Sequence, residues 1–431
     1  MRRLTGGRRE LLGRLAVTPL LDRLEMAALS GLSQSAVYEA ARQLEDAGLI
    51  ASVPHGTDLV SPTRRFHLTG DGLRLLAREE YLTIDSLLRS YPVAARWRRV
   101  LLERLDAVAV IYRLASAVAN IRHPIRFRWY RAMPMDAAVV LPGGRTLAVV
   151  RQGPATDRTG FSKRLRRLRD GPRPGGVLLV VPDEVRLRHA RRIVGRRFAP
   201  AVLALERDAV AAAIDAPVWR LSPNDDAVSL REAIGRIDRT GALPAERPLV
   251  RVSVPPDIDD GRVGGGVPEH MLPALLKPAE KRVLDLLSDW PWLALSDLAG
   301  LLGVNSRRAS RLAAAWGGFG LVARIPAAAR RLALTDAGLT LLARRDRAAV
   351  DGAKKRWSVA PTDAGDWRNV SGRRSRQLLR NMEHTAAVHG FVAALARQAR
   401  DLGWEIDQLD PPRRASRYFS YFGGMRSVHP D

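Results

Sequence analysis

Basic side chains recur at helical spacing in two short segments of the chain. The first set is Lys163, Arg164, Arg166 and Arg167, and the second is Arg307, Arg308 and Arg311 with Ser306 beside them. Residues three or four positions apart share one face of an α-helix, so each segment would present several cations side by side. Guanidinium groups bind phosphate oxygens in a bidentate manner, so both segments predict contacts with a polyanion that carries phosphates.

A single acidic residue stands where a strand begins. A magnesium-dependent nuclease needs an acid at the start of one strand and further acids on the next strand, because Mg²⁺ is held by several oxygen ligands. Asp136 offers the first ligand, but the next strand has Val149 where the second acid is required, and Arg151 follows. Asp136 is therefore predicted to be a vestigial metal ligand. No catalytic residue, bound metal or cofactor is predicted.

The chain as a whole is strongly basic. It has 431 residues, with 70 Lys and Arg against 45 Asp and Glu, and a formal net charge of +25. Such a surface attracts polyanions, of which nucleic acid is the usual cytoplasmic example. The chain contains no cysteine, which excludes disulfides, thiolate metal sites and cysteine nucleophiles. It has neither an apolar run of about 18 residues nor a signal peptide, so we expect a cytoplasmic, DNA-associated protein with no membrane partner.

The N-terminal region has the element order of a winged helix-turn-helix domain, predicted over residues 9–80. Ser33 would cap a third helix that Gly48 ends, and two short strands and a further helix follow. In that architecture the third helix enters the major groove and the hairpin contacts the DNA backbone. The predicted DNA-binding residues here are Gln34, Ser35, Tyr38, Arg42, Arg64 and Arg65. Winged helices also bind proteins, and Glu39 on this helix leaves that alternative open.

The pattern at residues 67–78 returns at residues 333–344, each time with a threonine, Thr69 or Thr335, that would cap the helix, and with Leu-Leu-Ala-Arg at the end of the pattern. Two copies of such a pattern indicate an internal duplication. A second winged helix is therefore predicted over residues 273–346. Its candidate DNA-binding residues are Ser306, Arg307, Arg308 and Arg311 on the third helix, and Arg324, Arg330 and Arg331 in the hairpin.

The region between the two copies alternates strands with basic helices. Residues 94–221 give the order helix, three strands, helix, strand, which is similar to the core of restriction-type nucleases, here without its ligands. Residues 222–272 are rich in Pro, Gly and Asp and predict a linker. Residues 366–431 predict the start of a second, truncated nuclease-like domain, in which Asp431 matches Asp136. The predicted fold class is thus α+β, with two winged helices and a degenerate nuclease-like domain in a tandem duplication.

One combination of motifs resembles a known family. The segment Glu383-His384-Thr385-Ala386-Ala387-Val388 and the pair Pro430-Asp431 follow the winged helix at 278–344. This combination resembles the bacterial replication-relaxation family, whose members serve the mobilisation and replication of plasmids and integrative elements. The first copy resembles the family more loosely over residues 20–210, since it keeps Asp136 but lacks the His-Thr pair.

These observations together predict a non-enzymatic protein that binds double-stranded DNA. Two winged helices in one chain would act as a covalent pseudo-dimer on two half-sites about one helical turn apart. The resemblance implies an accessory role in replication, relaxation or conjugative mobilisation, with a relaxase, a coupling ATPase or a chain that supplies the missing C-terminal half as candidate partners. The alternatives are a nuclease or nicking subunit completed by a partner chain, and a transcriptional regulator or protein-binding hub.

Overall fold

A computed structural model shows a mixed α+β protein that divides into two compact units, Met1–Lys277 (unit 1) and Pro278–Asp431 (unit 2). The α+β class expected from the sequence is confirmed. The residues that the structure describes are 6–171, 173–195, 200–224, 226–237, 239–258, 267–325, 331–363, 369–404, 406, 409–411, 417–421 and 424–428.

Unit 1 opens with three helices, an antiparallel hairpin and two further helices. They are α1 (Gly6–Val17), α2 (Arg23–Ser30), α3 (Gln34–Asp46), β1 (Ile50–His55), β2 (Thr63–Leu68), α4 (Gly70–Glu79) and α5 (Ile84–Ser90). The predicted caps are present, because the hydroxyl of Ser33 accepts a hydrogen bond from the Ala36 amide and that of Thr69 accepts one from the Gly72 amide. Leucine and valine side chains from these helices close a core beneath α3.

The rest of unit 1 is a seven-stranded sheet with helices around it. Its elements are α6 (Ala95–Glu103), α7 (Leu105–Ile121), β3 (Arg126–Trp129), β4 (Ala137–Val140), β5 (Thr146–Arg151), α8 (Arg158–Asp170), β6 (Gly176–Val181), α9 (Glu184–Val194), β7 (Ala201–Leu205), α10 (Glu206–Ala211), β8 (Trp219–Ser222), β9 (Ala227–Val228) and α11 (Leu230–Gly235). The strands lie in sequence order; β5, β6 and β7 are parallel, and the remaining pairs are antiparallel. The order predicted for 94–221 is present from α7 onward, while the single helix expected at its start is two helices, α6 and α7, divided at Arg104.

The first helical region and the sheet form one compact unit. Helix α7 packs against α2 on one side and the sheet on the other, and almost all of its residues are buried. His55 in β1 lies 3.0 Å from Asp106 in α7, so the hairpin is held against the long helix by a buried polar contact. Residues 9–80 and 94–221, predicted as two domains, therefore share a continuous core.

The segment predicted as a linker, residues 222–272, is packed into unit 1 where the structure describes it. It contributes β9, α11 and the first residue of α12 (Leu272–Leu275), and residues 239–258 lie outside helices and strands. The hydroxyl of Tyr130 donates to the carbonyl of Pro244 at 2.9 Å, and the amide of Ala95 donates to the carbonyl of Ser253 at 3.0 Å. The prediction of a linker is wrong because turn-forming residues do not reveal whether an extended segment finds partners elsewhere in the fold.

Unit 2 repeats the opening order of unit 1. Its elements are α13 (Pro278–Asp289), α14 (Leu295–Leu302), α15 (Ser306–Gly318), β10 (Val322–Ile325), β11 (Arg331–Leu334), α16 (Asp336–Arg345), α17 (Val350–Trp357), α18 (Arg373–Arg380), α19 (Met382–Asp401), β12 (Arg417–Tyr421) and β13 (Gly424–Val428). Strands β10 and β11 form one antiparallel hairpin, and β12 and β13 form another. Only β12 was expected from the sequence after α19.

The two units also share their exceptional backbone conformations. Leu20 and Trp292, which are not glycines, have positive φ angles of 71° and 72°, and Tyr81 and Arg347 both have 56°. Left-handed backbone is costly for residues with a Cβ, so its return at matching places is a specific likeness. In each unit the positive-φ residue before α2 or α14 bonds the returning strand, from Leu20 N to Phe66 O at 2.7 Å and from Trp292 N to Leu332 O at 3.0 Å.

Candidate nucleic-acid interface

Helix α15 presents three exposed arginines and contains no acidic residue. Asn305 begins the helix, since its side-chain oxygen accepts a hydrogen bond from the Arg308 amide at 2.9 Å. Ala309, Ala313 and Trp316 face the core. The opposite face exposes all four residues predicted from the sequence, Ser306, Arg307, Arg308 and Arg311. The helix contains no acidic residue, and these arginines form no ion pair with any residue in the described part of the chain.

Helix α3, the counterpart of α15, exposes a polar surface and contains three acidic residues, Glu39, Glu45 and Asp46, against the single Arg42. Gln34, Ser35, Tyr38 and Arg42 are all exposed, as predicted. However, the Arg42 guanidinium lies 3.1 Å from the Glu39 carboxylate, which also accepts a hydrogen bond from Gln43 at 2.6 Å. The bond from Arg42 lowers the pKa of Glu39, so this carboxylate remains charged. The face of α3 therefore has polar groups for recognition but little net attraction for phosphates.

Of the predicted DNA-binding residues on helix α8, some are exposed and one is mostly buried. Lys163, Arg166 and Arg167 are exposed and form no ion pair within the described segments. The side chain of Arg164 is mostly buried instead. It pairs with the carboxylate of Asp136 and donates a hydrogen bond to the carbonyl of Arg151 at 2.9 Å. The prediction that Arg164 contacts phosphates is therefore wrong, because its guanidinium pairs inside the fold with Asp136, which is distant in the sequence.

The hairpin arginines also separate into two groups. Arg64 is exposed, with its Nε 2.7 Å from the hydroxyl of Ser52, and Arg324 is exposed on β10. Arg65 has no accessible side-chain surface and pairs with Glu25 at 2.8 Å. Arg331 is partly buried, with 13% of its side chain exposed, and lies 3.6 Å from Asp297. Arg65 and Arg331 are thus structural residues, which corrects their assignment to DNA. Arg330 lies outside the described residues.

The pair of Arg65 and Glu25 belongs to a buried network of hydrogen bonds. Arg65 bonds both oxygens of Glu25, at 2.8 and 3.2 Å, and its Nε donates to Nδ1 of His55 at 3.2 Å. Burial acts to lower the pKa of Arg65, but the charge of Glu25 raises it and the net shift is upward, so the guanidinium stays charged. His55 continues the network to Asp106 in α7. The sequence showed none of these partners to be neighbours.

The predicted vestigial metal site is filled by protein groups. The Asp136 carboxylate accepts the Arg151 amide at 2.7 Å and pairs with Arg164. Arg151 in turn pairs with Glu206 at 2.9 Å, and Val149 is buried where a second acid would be needed. In the described part of the chain, no three His, Cys, Asp or Glu residues converge as metal ligands. Asp431, the matching residue of unit 2, lies outside the described residues.

Glu206 and Gln152 are buried polar residues that sequence reasoning missed. Both follow parallel strands, β7 and β5, at the edge where the carboxyl ends of those strands meet. Glu206 balances the charge of Arg151, while the side-chain amide of Gln152 has no hydrogen-bond partner among the described atoms. The position directly after a buried strand is the signal that singles out such residues, because ligands of α/β sheets gather there.

A serine and a histidine lie close together on α8 and α9, but their geometry gives no activated nucleophile. Ser162 Oγ is 3.0 Å from His189 Nε2, and Arg158 Nε donates to His189 Nδ1 at 3.0 Å. Burial and the neighbouring arginines lower the pKa of His189 to about 4, so the ring is neutral near pH 7. The hydroxyl of Ser162 donates to the carbonyl of Arg158 at 2.8 Å, so its proton is directed at the helix backbone rather than at His189.

This chain matches no known protein-family model, no curated protein and no solved structure. The resemblance to the replication-relaxation family therefore remains a prediction that is based on the residues quoted above. Among the described helices, none combines the length and apolar character needed to cross a lipid bilayer.

Proposed function

We propose that this protein binds double-stranded DNA without cleaving it, and that α15 makes the principal contact. The observation that carries the proposal is the exposed face of α15, where Arg307, Arg308 and Arg311 lie without acidic neighbours on their helix. Arginines at this density bind phosphate oxygens and can also pair with the edge of guanine in the major groove.

The order of α13, α14, α15, β10, β11 and α16 supports a winged-helix arrangement in unit 2. In that arrangement α15 is the recognition helix, which inserts its N-terminal residues into the major groove. Ser306 and Arg307 stand in the first turn of α15, as this geometry requires. Arg324 on the hairpin is positioned to contact the DNA backbone beside the groove.

Unit 1 repeats the same order, and we assign it a supporting role. Helix α3 has more acidic than basic residues and its Arg42 is paired with Glu39, which reduces the attraction of this helix for phosphates. The hairpin β1–β2 is held by the contact between His55 and Asp106, so it is not free to adjust to DNA. Lys163, Arg166 and Arg167 on α8 would supply the phosphate contact of this unit instead. We interpret the two units as unequal copies of one ancestral module.

The pairing of Asp136 with Arg164 supports a scaffold function for the sheet of unit 1. A carboxylate that already binds a guanidinium and a backbone amide has little capacity left for Mg²⁺. On the resemblance quoted above, we place the DNA-binding activity in the replication, relaxation or conjugative mobilisation of a plasmid or integrative element.

The decisive experiment compares two double variants of the full chain on a labelled duplex. Arg307→Glu with Arg311→Glu should lower affinity at least about tenfold and reduce the slope of log K against log salt by about two, because two phosphate contacts are lost. Arg96→Glu with Arg122→Glu is the matched control, since both arginines are exposed in unit 1 and the change in net charge is the same. Equal affinity of the two variants would refute the assignment of α15 and favour a protein-binding hub.

Incubation with supercoiled plasmid and Mg²⁺ or Mn²⁺ tests the absence of cleavage. We expect the plasmid to remain supercoiled over the whole range of protein concentrations that saturate binding. Nicking by the unmodified chain that disappears in Asp136→Ala would show that the sheet of unit 1 is an active nuclease domain.

A further inference from the structure

Helices α17 and α18 meet at a corner of unit 2 that is remote in sequence from α15. The hydroxyl of Ser375 donates to the carbonyl of Trp357 at 2.8 Å, and the amide of Gly372 donates to the carbonyl of Ser358 at 2.9 Å. These bonds place the last turn of α17 beside the first turn of α18. We call residues 354–357 and 372–375 the α17–α18 corner.

The α17–α18 corner concentrates positive charge. Its basic residues are Lys354, Lys355, Arg356, Arg373 and Arg374, and it contains no acidic residue. Lys355 and Arg373 are exposed, and neither forms an ion pair with a residue in the described part of unit 2. Lys355 and Arg373 have like charges on adjacent helical turns, an arrangement that a shared anion stabilises.

The corresponding corner of unit 1 shows what such cations do when a partner is present. There the segment 249–257 forms hydrogen bonds with α5 and with the first turn of α6. Arg89 donates to the carbonyl of Leu249 at 3.0 Å, and Arg98 donates to the carbonyl of Pro256 at 3.1 Å. The two corners correspond, since α6 and α18 are each followed by a single residue, Arg104 or Asn381, with a φ angle of −110° or −108°, and then by a long helix, α7 or α19.

We propose that the α17–α18 corner binds the sugar–phosphate backbone of a nucleic acid and forms a second contact surface on unit 2. The exposed cations Lys355 and Arg373, from two adjacent helical turns, fit neighbouring phosphates. A membrane surface fits less well, because interfacial helices insert large apolar side chains and none of the corner residues is an exposed large apolar one. This proposal is separate from the role proposed for α15, because recognition of the groove by α15 does not require a backbone contact at the corner.

The test measures duplex affinity of the full chain by fluorescence anisotropy across a series of salt concentrations. Lys355→Glu with Arg373→Glu should weaken binding at low salt at least about tenfold and reduce the salt slope by about two. Arg96→Glu with Arg122→Glu is again the control, and Arg96 is the residue of unit 1 that corresponds to Arg373. Thermal unfolding of each variant verifies that unit 2 remains folded.

The outcomes separate this inference from the proposal for α15. Loss of affinity in the Arg307 and Arg311 variant, with the corner variant equal to the control, would overturn the inference alone. The reverse pattern would overturn the role of α15 and support the corner. The last comparison measures binding to vesicles of phosphatidylserine and phosphatidylcholine. If the corner variant loses vesicle binding but keeps its duplex affinity, the nucleic-acid proposal is overturned.

Discussion

Arg65 and Arg331 occupy matching positions in the two units and make the same bond. Nη1 of Arg65 donates to the carbonyl of Leu20 at 2.9 Å, and Nη1 of Arg331 donates to the carbonyl of Trp292 at 3.0 Å. Each accepting residue has a positive φ angle. An arginine that binds the carbonyl of a strained residue helps to hold that backbone in place, which explains why both residues lie inside the fold rather than on a DNA-facing surface.

Arg65→Met should destabilise unit 1 by about 3–5 kcal/mol, because it leaves Glu25 buried without its counter-ion. Arg331→Met should cost less, about 1–3 kcal/mol, since Arg331 is 13% exposed and its ion pair with Asp297 is longer, at 3.6 Å. Urea unfolding measures both. The exposed neighbour Arg64 provides the control, and a loss for Arg64→Met as large as that for Arg65→Met would contradict the structural role.

Glu39→Gln should increase affinity for duplex DNA. The substitution removes a negative charge from the exposed face of α3 and releases the Arg42 guanidinium from its ion pair. We expect the salt slope to become steeper by about one, as one further phosphate contact forms. Glu10→Gln is the matched control, because Glu10 pairs with Arg14 on α1 in the same manner, at 3.0 Å. Equal salt slopes for both variants would argue against a DNA-facing α3.

Gly72→Ala and Gly338→Ala should each destabilise the chain by at least about 2 kcal/mol through overpacking. A Cβ at Gly72 would overlap the carbonyl oxygen of Leu49, and a Cβ at Gly338 would overlap that of Leu321. Gly317→Ala on α15 is the control, since nothing lies within 4 Å of its Cβ position and alanine favours a helix by about 1 kcal/mol. Thermal unfolding that shows no difference between these sites would refute the close approach.

Acid should destabilise both units through two buried histidines. Burial, and then the charge of Arg98, lowers the pKa of His67 to about 3, while burial and Arg331 lower that of His389 to about 4. Below the unfolded pKa of about 6.5 the unfolded chain binds protons that the folded chain does not. The free energy of unfolding therefore decreases as the pH is lowered. Each histidine should remove about 2 kcal/mol between pH 6.5 and pH 5.

Unfolding in urea at several pH values measures this dependence. His67→Gln and His389→Gln should each flatten the profile between pH 6.5 and pH 4, whereas His384→Gln, at an exposed position on α19, should leave it unchanged. A profile for His67→Gln that is as steep as that of the unmodified chain would show that His67 is not the proton acceptor.

Much of the local architecture was predictable because its signals are local. The caps at Ser33, Thr69 and Thr335 act within one helical turn, and the structure contains all three. The same holds for the order of helices and strands in residues 94–221, where periodicity and turns suffice. The exposure of the α15 arginines also followed from helical spacing alone.

The amino-acid sequence by itself determined the basic charge, the repeated element order and the α+β class, since composition and periodicity encode these properties. Only the tertiary structure decided which arginines face solvent. Arg65, Arg164 and Arg331 look like their exposed neighbours in the sequence, yet each meets an acid or a carbonyl that lies far away along the chain. Segment 249–257 was misjudged for the same reason, because burial and ion pairing depend on contacts that no local pattern records.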